Sequence, residues 1–244
     1  MRISFNTTFF LLVLLCLSCS QEEDLPVYIV KKLVHDISID ANWEKEQWQA
    51  IESLSIMNFL GDEPSYKPWA EAKMLYDDHS VYVIFRVKDR YVRALPRKPN
   101  EEVWKDSCVE FFFAPDEAHP LYYFNLEVNC GGVPLMKYSK VPRKDFISME
   151  QEDFDNLEIA HSLPETVDPE IQDSITWTVE YRIPVTLLQK YSHVSSPAPG
   201  TVWKANFFKI AEISSNPHYI TWAEIKDKEV SFHKPEFFGK LLFE

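Results

Sequence analysis

The sequence has few of the residues on which several common functional sites depend. Only five of its 244 residues are glycine, and it contains no Gly-x-Ser-x-Gly segment. A phosphate-cradling loop needs closely spaced glycines and a hydrolase nucleophile turn needs that motif, so both kinds of site are disfavoured. The seven histidines are scattered without the spacing of a zinc site, and we expect most of them to lie on the surface.

Basic residues and long apolar segments are also scarce. The chain has 25 Lys and Arg residues against 38 Asp and Glu residues, a formal net charge of −13 at pH 7. A surface of this charge repels phosphate backbones, which excludes nucleic acid as a partner and leaves neutral mono- or oligosaccharides as easier ligands than polyanionic glycans. After the first 18 residues no apolar run is long enough to span a bilayer.

The first 18 residues have the pattern of a signal peptide. Arg2 supplies the positive charge, and residues 9–15 form an apolar run too short for a membrane-spanning helix. The segment that ends at Cys19 resembles a bacterial lipobox, although Cys16 occupies a position that is usually aliphatic. We expect Cys19 to carry a lipid, with an ordinary secreted protein cut nearby as the alternative.

An acidic segment follows Cys19. Residues 20–24 read Ser-Gln-Glu-Glu-Asp, which resembles the tag that directs lipoproteins of Bacteroidetes-type bacteria to the cell surface. The sequence therefore predicts a tether over residues 19–26 and an outer membrane lipoprotein that is exposed on the cell surface. Its only membrane contact would be the lipid anchor.

Residues 27–244 have the pattern of a single all-β domain. Residues 81–87 and 175–183 alternate between apolar and polar or mixed side chains, as strands that face a core on one side do. Helical pattern is confined to residues 43–53 and 184–190. Further strands are predicted at 27–32, 71–76, 202–213, 218–224 and 239–243. The pattern predicts an antiparallel, jelly-roll-like β-sandwich with one or two short helices, and a long loop at about 144–173.

Residues 107–114 and 122–130 are predicted to pair as a hairpin. Opposed positions in a ladder point to the same side, so parity assigns two faces. The core face holds Val109, Phe111, Phe113, Phe124, Leu126 and Val128. The other face holds Cys108, Glu110, Phe112, Asn125, Glu127 and Asn129. The second set is a polar patch suited to sugar hydroxyls, with an outward face of solvated acids as the alternative. Because Cys108 and Cys130 fall on opposite faces, we predict that both are free thiols.

Trp104 precedes Glu110 by six positions. An indole can stack on the apolar C–H face of a sugar ring while a nearby carboxylate accepts hydrogen bonds from its hydroxyls. The pairing therefore indicates a carbohydrate site. A core tryptophan at a strand edge is the alternative interpretation.

Several segments together resemble the family 9 carbohydrate-binding modules and the family-9-like domains of bacterial surface lipoproteins. These segments are Ile39-Asp40 with Trp43 and Trp48, residues 75–83 with Lys88-Asp89, residues 104–110, Glu127-Val128-Asn129, and a closing segment of residues 231–239. They extend across most of the chain from residue 27 onwards.

The resemblance implies a non-catalytic β-sandwich that holds a sugar between the rings of Trp104 and Phe232. It also implies polar contacts from Glu110 and Asn129. His233, beside Phe232, is a further candidate, with structural packing as its alternative role. Structural calcium is common in the family, but no ligand set can be assigned. Two departures stand out, because Glu127 replaces a basic residue of the family and Phe232 replaces a second tryptophan.

Lower-ranked candidates and other functions remain open at this point. Glu127, Lys105 and Trp69 are further candidate contacts, although Trp69 has core packing as an alternative. Glu110 and Glu127 have the residue types of a glycoside hydrolase acid–base pair. A haem site would use Met136 and His233. The protein could also be an accessory or scaffold subunit of a glycan-uptake system, with glycoside hydrolases among its partners and no sugar site of its own.

Overall fold

The computed structural model describes residues 25–244, in which short segments of β-strand predominate. The strands are β1 Val27–Lys32, β2 Leu54–Ile56, β3 Asn58–Phe59, β4 Trp69–Tyr76, β5 Ser80–Asp89, β6 Val92–Ala94, β7 Ser107–Ala114, β8 Tyr123–Asn129, β9 Pro134–Val141, β10 Asp145–Ser148, β11 Glu158–His161, β12 Val167–Ile171, β13 Ile175–Pro184, β14 Val202–Ala211, β15 His218–Thr221 and β16 Gly239–Phe243. The helices are α1 Glu46–Gln49, α2 Gln151–Phe154 and α3 Val185–Gln189, with 3₁₀ turns at Val103–Lys105 and Pro235–Phe237. None of the helices within this part of the chain is long and apolar enough to cross a membrane.

The strands form the two layers of a sandwich. One layer has the order β10-β9-β8-β7-β14-β16, and the other has the order β4-β5-β13-β11, with β2 beside β4. Strand β1 joins the layers, because its residues 27–30 pair with β16 and its residues 31–32 pair with β4. The predicted all-β sandwich is confirmed. The strands of the sandwich pair antiparallel except at β1, which is parallel to both of its neighbours, β16 and β4.

A large apolar core fills the space between the layers. The alternating residues of 81–87 and 175–183 contribute Val81, Val83, Phe85, Val87, Trp177, Val179, Tyr181 and Ile183, as their pattern predicted. Phe111 of β7 stacks on Phe207 of β14 with ring centroids 4.7 Å apart, and Phe113 stacks on Trp203 at 5.7 Å. These contacts hold the inner face of the β7–β8 hairpin against the core.

The segment around α1 covers the outer face of the second layer. Its helix is shorter than the predicted 43–53, at four residues. Glu180 of β13, fully buried, holds this segment in place. Its carboxylate accepts hydrogen bonds from the indole Nε1 of Trp48 at 2.8 Å, the backbone N–H of Ala41 at 2.7 Å and Nζ of Lys45 at 2.7 Å. The longer helix that the pattern predicted does not form, and hydrogen bonds to the buried Glu180 carboxylate hold the segment instead.

The acidic region at 144–173 is not the long loop that was predicted. It contains β10 at the edge of one layer, α2, β11 at the edge of the other layer, and β12, which pairs with β6. All four residues of β10 are exposed, and none of β11 is fully buried. Edge strands of this kind have no buried face, so their sequence shows no alternation by which they could be recognised. The predicted helix at 184–190 begins one residue later, since Pro184 is the last residue of β13.

A cluster of charged and polar groups lies inside the core. Nζ of Lys209 is 3.1 Å from Oδ2 of Asp89 and 2.7 Å from Nε2 of His218, and all three side chains are buried. Burial lowers the pKa of His218 to about 2, and the charge of Lys209 lowers it further in the same direction. His218 is therefore neutral, and Lys209 and Asp89 form a buried ion pair that depends on both partners.

Candidate functional site

The β7–β8 hairpin has the register that parity predicted. Glu110 lies opposite Glu127, Phe112 opposite Asn125, and Cys108 opposite Asn129. The six apolar residues of the inner face all belong to the core between the layers. Cys108 and Cys130 lie in different apolar clusters and are both free and buried, which confirms that prediction.

The outer face of this hairpin is covered by protein. Phe232 of the closing segment stacks on Phe208 of β14 with centroids 4.2 Å apart, and Phe112 stacks on Tyr123 at 5.8 Å. These rings belong to a second apolar cluster outside the sandwich core. Glu110 and Glu127 are consequently only 2% and 5% exposed, so the alternative of solvated surface acids is wrong.

A cavity of about 390 Å³, here called the outer cavity, opens on this face. Glu110, Asn125, Glu127 and Ser231 are its most buried polar lining residues. Trp104, Tyr219 and Phe232 contribute aromatic rings. The remaining lining residues are Lys137, Arg143, Ile210, Glu212, Val230, Ser231 and His233. The structure thus brings five of the predicted site residues together: Trp104, Glu110, Glu127, Phe232 and His233.

The polar groups of the outer cavity are incompletely hydrogen-bonded. Asn125 donates from Nδ2 to Oε1 of Glu127 at 2.8 Å. Within residues 25–244, Oε2 of Glu127 and Oδ1 of Asn125 have no hydrogen-bond partner. Leaving a buried acceptor unpaired costs about 1–3 kcal/mol, so these two atoms are positions at which a ligand's donor would be stabilised.

The two carboxyl groups of the outer cavity hold their protons unusually strongly. Burial raises the pKa of Glu127 to about 7, while the hydrogen bond from Asn125 and the charge of Lys137 act in the opposite direction. Burial, and then the neighbouring charge of Glu127, raise the pKa of Glu110 well above its usual range. At neutral pH this pair therefore does not carry two full negative charges.

His233 packs against aromatic side chains and also lines the outer cavity. Its Nδ1 lies 2.7 Å from the hydroxyl of Tyr123, and its ring packs 5.2 Å from the ring of Phe112. Burial lowers its pKa to about 4, and the charges of Arg143 and Lys137 contribute in the same direction. His233 is thus a neutral, packed side chain that also lines the outer cavity.

Asn129 does not line the outer cavity. Its Nδ2 donates to Oδ2 of Asp106 at 3.0 Å, and its Oδ1 accepts from the backbone N–H of Val133 at 2.9 Å, so it supports the turn between β8 and β9. Asn125, on the same face, lines the cavity and supplies the amide instead. The alternation of side chains predicted both asparagines on this face, and the family resemblance implied Asn129 as the one that contacts the sugar.

The two remaining candidates lie elsewhere. Trp69, at the start of β4 in the other layer, is 46% exposed, so it is neither in the outer cavity nor in the core. The guanidinium of Arg86 lies 5.5 Å from its ring centre. Nζ of Lys105 pairs with the carboxylate of Glu102 at 2.6 Å and does not line the outer cavity.

The lining residues that were not predicted from the sequence include Lys137, Arg143, Glu212 and Tyr219. Lys137 could have been identified by adding a third strand to the predicted hairpin, because it lies opposite Asn125 on β9. Arg143 lies in the turn between β9 and β10, where its φ of 57° is in the left-handed region. No local pattern marks Arg143, Glu212 or Tyr219 as neighbours of Trp104.

The structure does not assemble the haem ligands considered above. Met136 is fully buried in the core between the layers, whereas His233 lies over the outer face of the sheet. For calcium or another metal, residues 25–244 contain no group of three or more His, Cys, Asp or Glu side chains that could hold the ion.

A β-sandwich with an aromatic-lined, acid-containing cavity on the outside of one sheet is characteristic of a ligand-binding module. The sequence matches the carbohydrate-binding family 9 over residues 36–243, and the chain belongs to this family. The predicted family is therefore confirmed. Family 9 is a non-catalytic carbohydrate-binding module family, which agrees with the prediction that the protein is not an enzyme.

Similar proteins come from bacteria and from a fungus. A crystal structure of a protein from Bacteroides uniformis, assigned as carbohydrate-binding, superposes with a TM-score of 0.81 and 28% identity, covering 90% of this chain and 100% of that one. A family 9 module from Caldicellulosiruptor kristjanssonii, solved with glucose, gives a TM-score of 0.59 at 16% identity, covering 90% and 96%. The same comparison with its cellotriose complex gives 0.59 at 15%, covering 90% and 94%. A protein of Arthroderma benhamiae described as extracellular is 26% identical over 197 residues, which is 78% of this chain and 86% of the relative.

Proposed function

We propose that this protein binds a mono- or oligosaccharide in the outer cavity without transforming it. The observation that carries the proposal is the pair of unpartnered, buried acceptors, Oε2 of Glu127 and Oδ1 of Asn125, in a cavity that Trp104, Tyr219 and Phe232 also line. Sugar hydroxyls supply donors for such acceptors, and the apolar faces of sugar rings pack on aromatic rings.

The shape of the outer cavity supports a small ligand. Its volume of about 390 Å³ lies within the range of about 300–1,000 Å³ that is common for small-molecule sites. One face of the Phe232 ring rests on Phe208, so the sugar would pack on the part of the ring that lines the cavity. The glucose and cellotriose complexes of the Caldicellulosiruptor module support a saccharide as the class of ligand.

Binding explains the two acids better than hydrolysis does. Glu110 and Glu127 are directly opposed on neighbouring strands and belong to one surface of the cavity. A glycosidase needs its two carboxyl groups on opposite sides of the scissile bond. Membership of a non-catalytic family supports the same conclusion.

Calorimetric titration with glucose, cellotriose and a wider saccharide panel tests the proposal. We expect binding that weakens by at least about tenfold in Trp104→Ala, because the stacking surface is lost. Trp69→Ala is the matched control, since it removes a tryptophan from the other layer and should leave binding unchanged. Circular dichroism would show that both variants fold. Absence of binding across the panel, or binding that survives Trp104→Ala, would contradict the proposal.

We further propose that Cys19 is lipidated and that the protein is tethered to the outer cell surface, where it delivers glycan to uptake proteins or glycoside hydrolases. Residues 1–18, Cys19 and most of the 19–26 tether lie outside the described residues. The lipobox resemblance and the acidic segment support this proposal. Cys19→Ser should release the protein from the membrane fraction, and proteases added to intact cells should remove the unsubstituted protein. Protection from such proteases would contradict surface exposure.

A further inference from the structure

The outer cavity has more acceptors than donors among its most buried groups. Glu110, Glu127, Asn125 and Ser231 are at most 5% exposed, and their side chains contribute six oxygen atoms. The donors in this set are the Asn125 amide, which donates one N–H to Oε1 of Glu127 at 2.8 Å, the Ser231 hydroxyl and the proton that the carboxyl pair retains. Oε2 of Glu127 and Oδ1 of Asn125 have no partner within the described part of the chain. A group with several donors would satisfy this set better than a single hydroxyl.

The basic residues around these acids are engaged or more exposed. Lys137 is half-buried, with Nζ 4.8 Å from the centre of the Phe146 ring. Arg143 is exposed, with Nη1 3.6 Å from Glu229. Lys209 approaches from the inner side of the sheet, but its Nζ is 3.1 Å from the Asp89 carboxylate. Within residues 25–244, none of Lys137, Arg143 and Lys209 forms an ion pair with Glu110 or Glu127.

From this arrangement we infer that the outer cavity selects a saccharide that carries a free, protonated amino group over the corresponding neutral sugar. The inference rests on the proposed function, and it replaces the neutral saccharide expected from the sequence with a cationic amino sugar. An ammonium group has three donors and a positive charge, so it would bridge Glu110 and Glu127 and reach Oδ1 of Asn125. The aromatic rings of Trp104 and Phe232 would pack against the sugar ring and, near the amine, add cation–π attraction.

A bound calcium ion fits the same atoms less well. Calcium takes about six to eight oxygen ligands, and residues 25–244 contain no group of three or more His, Cys, Asp or Glu side chains placed to hold such an ion. An anionic sugar is disfavoured, because its carboxylate would face Glu110 and Glu127. The calcium alternative is distinguishable in the experiment below.

Ammonium binding should be linked to proton release. Burial raises the pKa values of both acids, so the free cavity keeps at least one proton near neutral pH. A cation between the carboxyl groups favours their charged forms and displaces that proton. The ionisable groups that line the cavity are Glu110, Glu127, Glu212, Lys137, Arg143, Tyr219 and His233. His233 is already neutral, because burial lowers its pKa to about 4.

The test is calorimetric titration of the full protein near pH 7 with four sugars: glucose, N-acetylglucosamine, glucosamine and 6-amino-6-deoxyglucose. At least one of the two amino sugars should bind about tenfold or more tightly than both neutral sugars. Repeating the titration in buffers of different ionisation enthalpy should show proton release for the preferred amino sugar and none for glucose. Glu127→Gln should remove most of the preference, whereas Glu117→Gln, an exposed control on the β7–β8 loop, should keep it.

The outcomes separate this inference from the proposed function. Equal or tighter binding of glucose, or a preference that Glu127→Gln leaves intact, would overturn the amino-sugar inference and leave saccharide binding standing. Binding of none of these sugars or of the wider panel would overturn both. Calcium binding that competes with glucosamine for the cavity would also overturn the inference.

Discussion

Replacing Glu127 with glutamine should stabilise the free protein at mildly alkaline pH. The physical reason is that Glu127 is 5% exposed and must either keep its proton or place a charge beside Glu110. Burial raises its pKa to about 7 in the folded state, against an ordinary value of 4.5. The folded protein therefore binds a proton more tightly than the unfolded chain does.

The sign and size of the effect follow from this difference. A raised carboxyl pKa contributes stability below about pH 4.5, and that contribution is lost as the pH rises through about 7. The difference between the two pKa values corresponds to about 3 kcal/mol of unfolding free energy by pH 8. Glutamine keeps an acceptor oxygen and cannot ionise. It also removes the charge that raises the pKa of Glu110, which adds an effect of the same sign.

The assay is urea unfolding, followed by tryptophan fluorescence, at several pH values from about 5 to about 8.5. The unfolding free energy of the unsubstituted protein should fall relative to that of Glu127→Gln as the pH rises, by about 3 kcal/mol over the range. Glu117→Gln, the exposed control, should run parallel to the unsubstituted protein. Histidine titration below about pH 6.5 affects all three proteins alike and cancels in the comparison. A difference that stays constant with pH would refute the reasoning.

Three further predictions concern buried groups. Glu180→Ala should lower the unfolding free energy by at least about 3 kcal/mol, because four donors lose a buried carboxylate. Hydrogen exchange should also become faster in the segment that carries α1. An unchanged exchange rate in that segment would contradict the proposed anchoring. Lys209→Met should lower the unfolding free energy, measured by urea unfolding, by about 3–5 kcal/mol, because it leaves the buried carboxylate of Asp89 without its partner. Adding Asp89→Asn should restore part of that free energy, since it removes the unpaired negative charge. Cys108 and Cys130 should react with a thiol reagent only as the protein unfolds, because burial raises the pKa of Cys130 to about 12 and that of Cys108 well above its usual range. Peptide mapping would assign the modified thiols, and rapid labelling of either in the folded protein would contradict this.

Much of the hairpin could be predicted from its sequence because strand geometry is local. Side chains alternate with a period of two, and opposed positions share a face. Once residues 107–114 and 122–130 are paired, the neighbourhood of Glu110 and Glu127 and the separation of Cys108 from Cys130 follow. The same alternation identified β5 and β13.

The features that were predicted incorrectly had no such alternating pattern. Strands β10 and β11 are edge strands without a buried face, so residues 144–173 read as a loop. The α1 segment depends on Glu180, which is distant in sequence and forms its hydrogen bonds only after folding. Asn129 and Asn125 share a face, and only the turn at Val133 and the position of the cavity distinguish their roles.

The sequence by itself determined the all-β class, the two faces of the hairpin, the opposition of Glu110 and Glu127 and the resemblance to family 9, because these depend on residue order and local geometry. Tertiary structure decided what surrounds those acids. It brought Phe232, His233, Tyr219 and the turn with Arg143 over the outer face from distant parts of the chain. That covering removes water from the two carboxyl groups and raises their pKa values, which no pattern along the chain records.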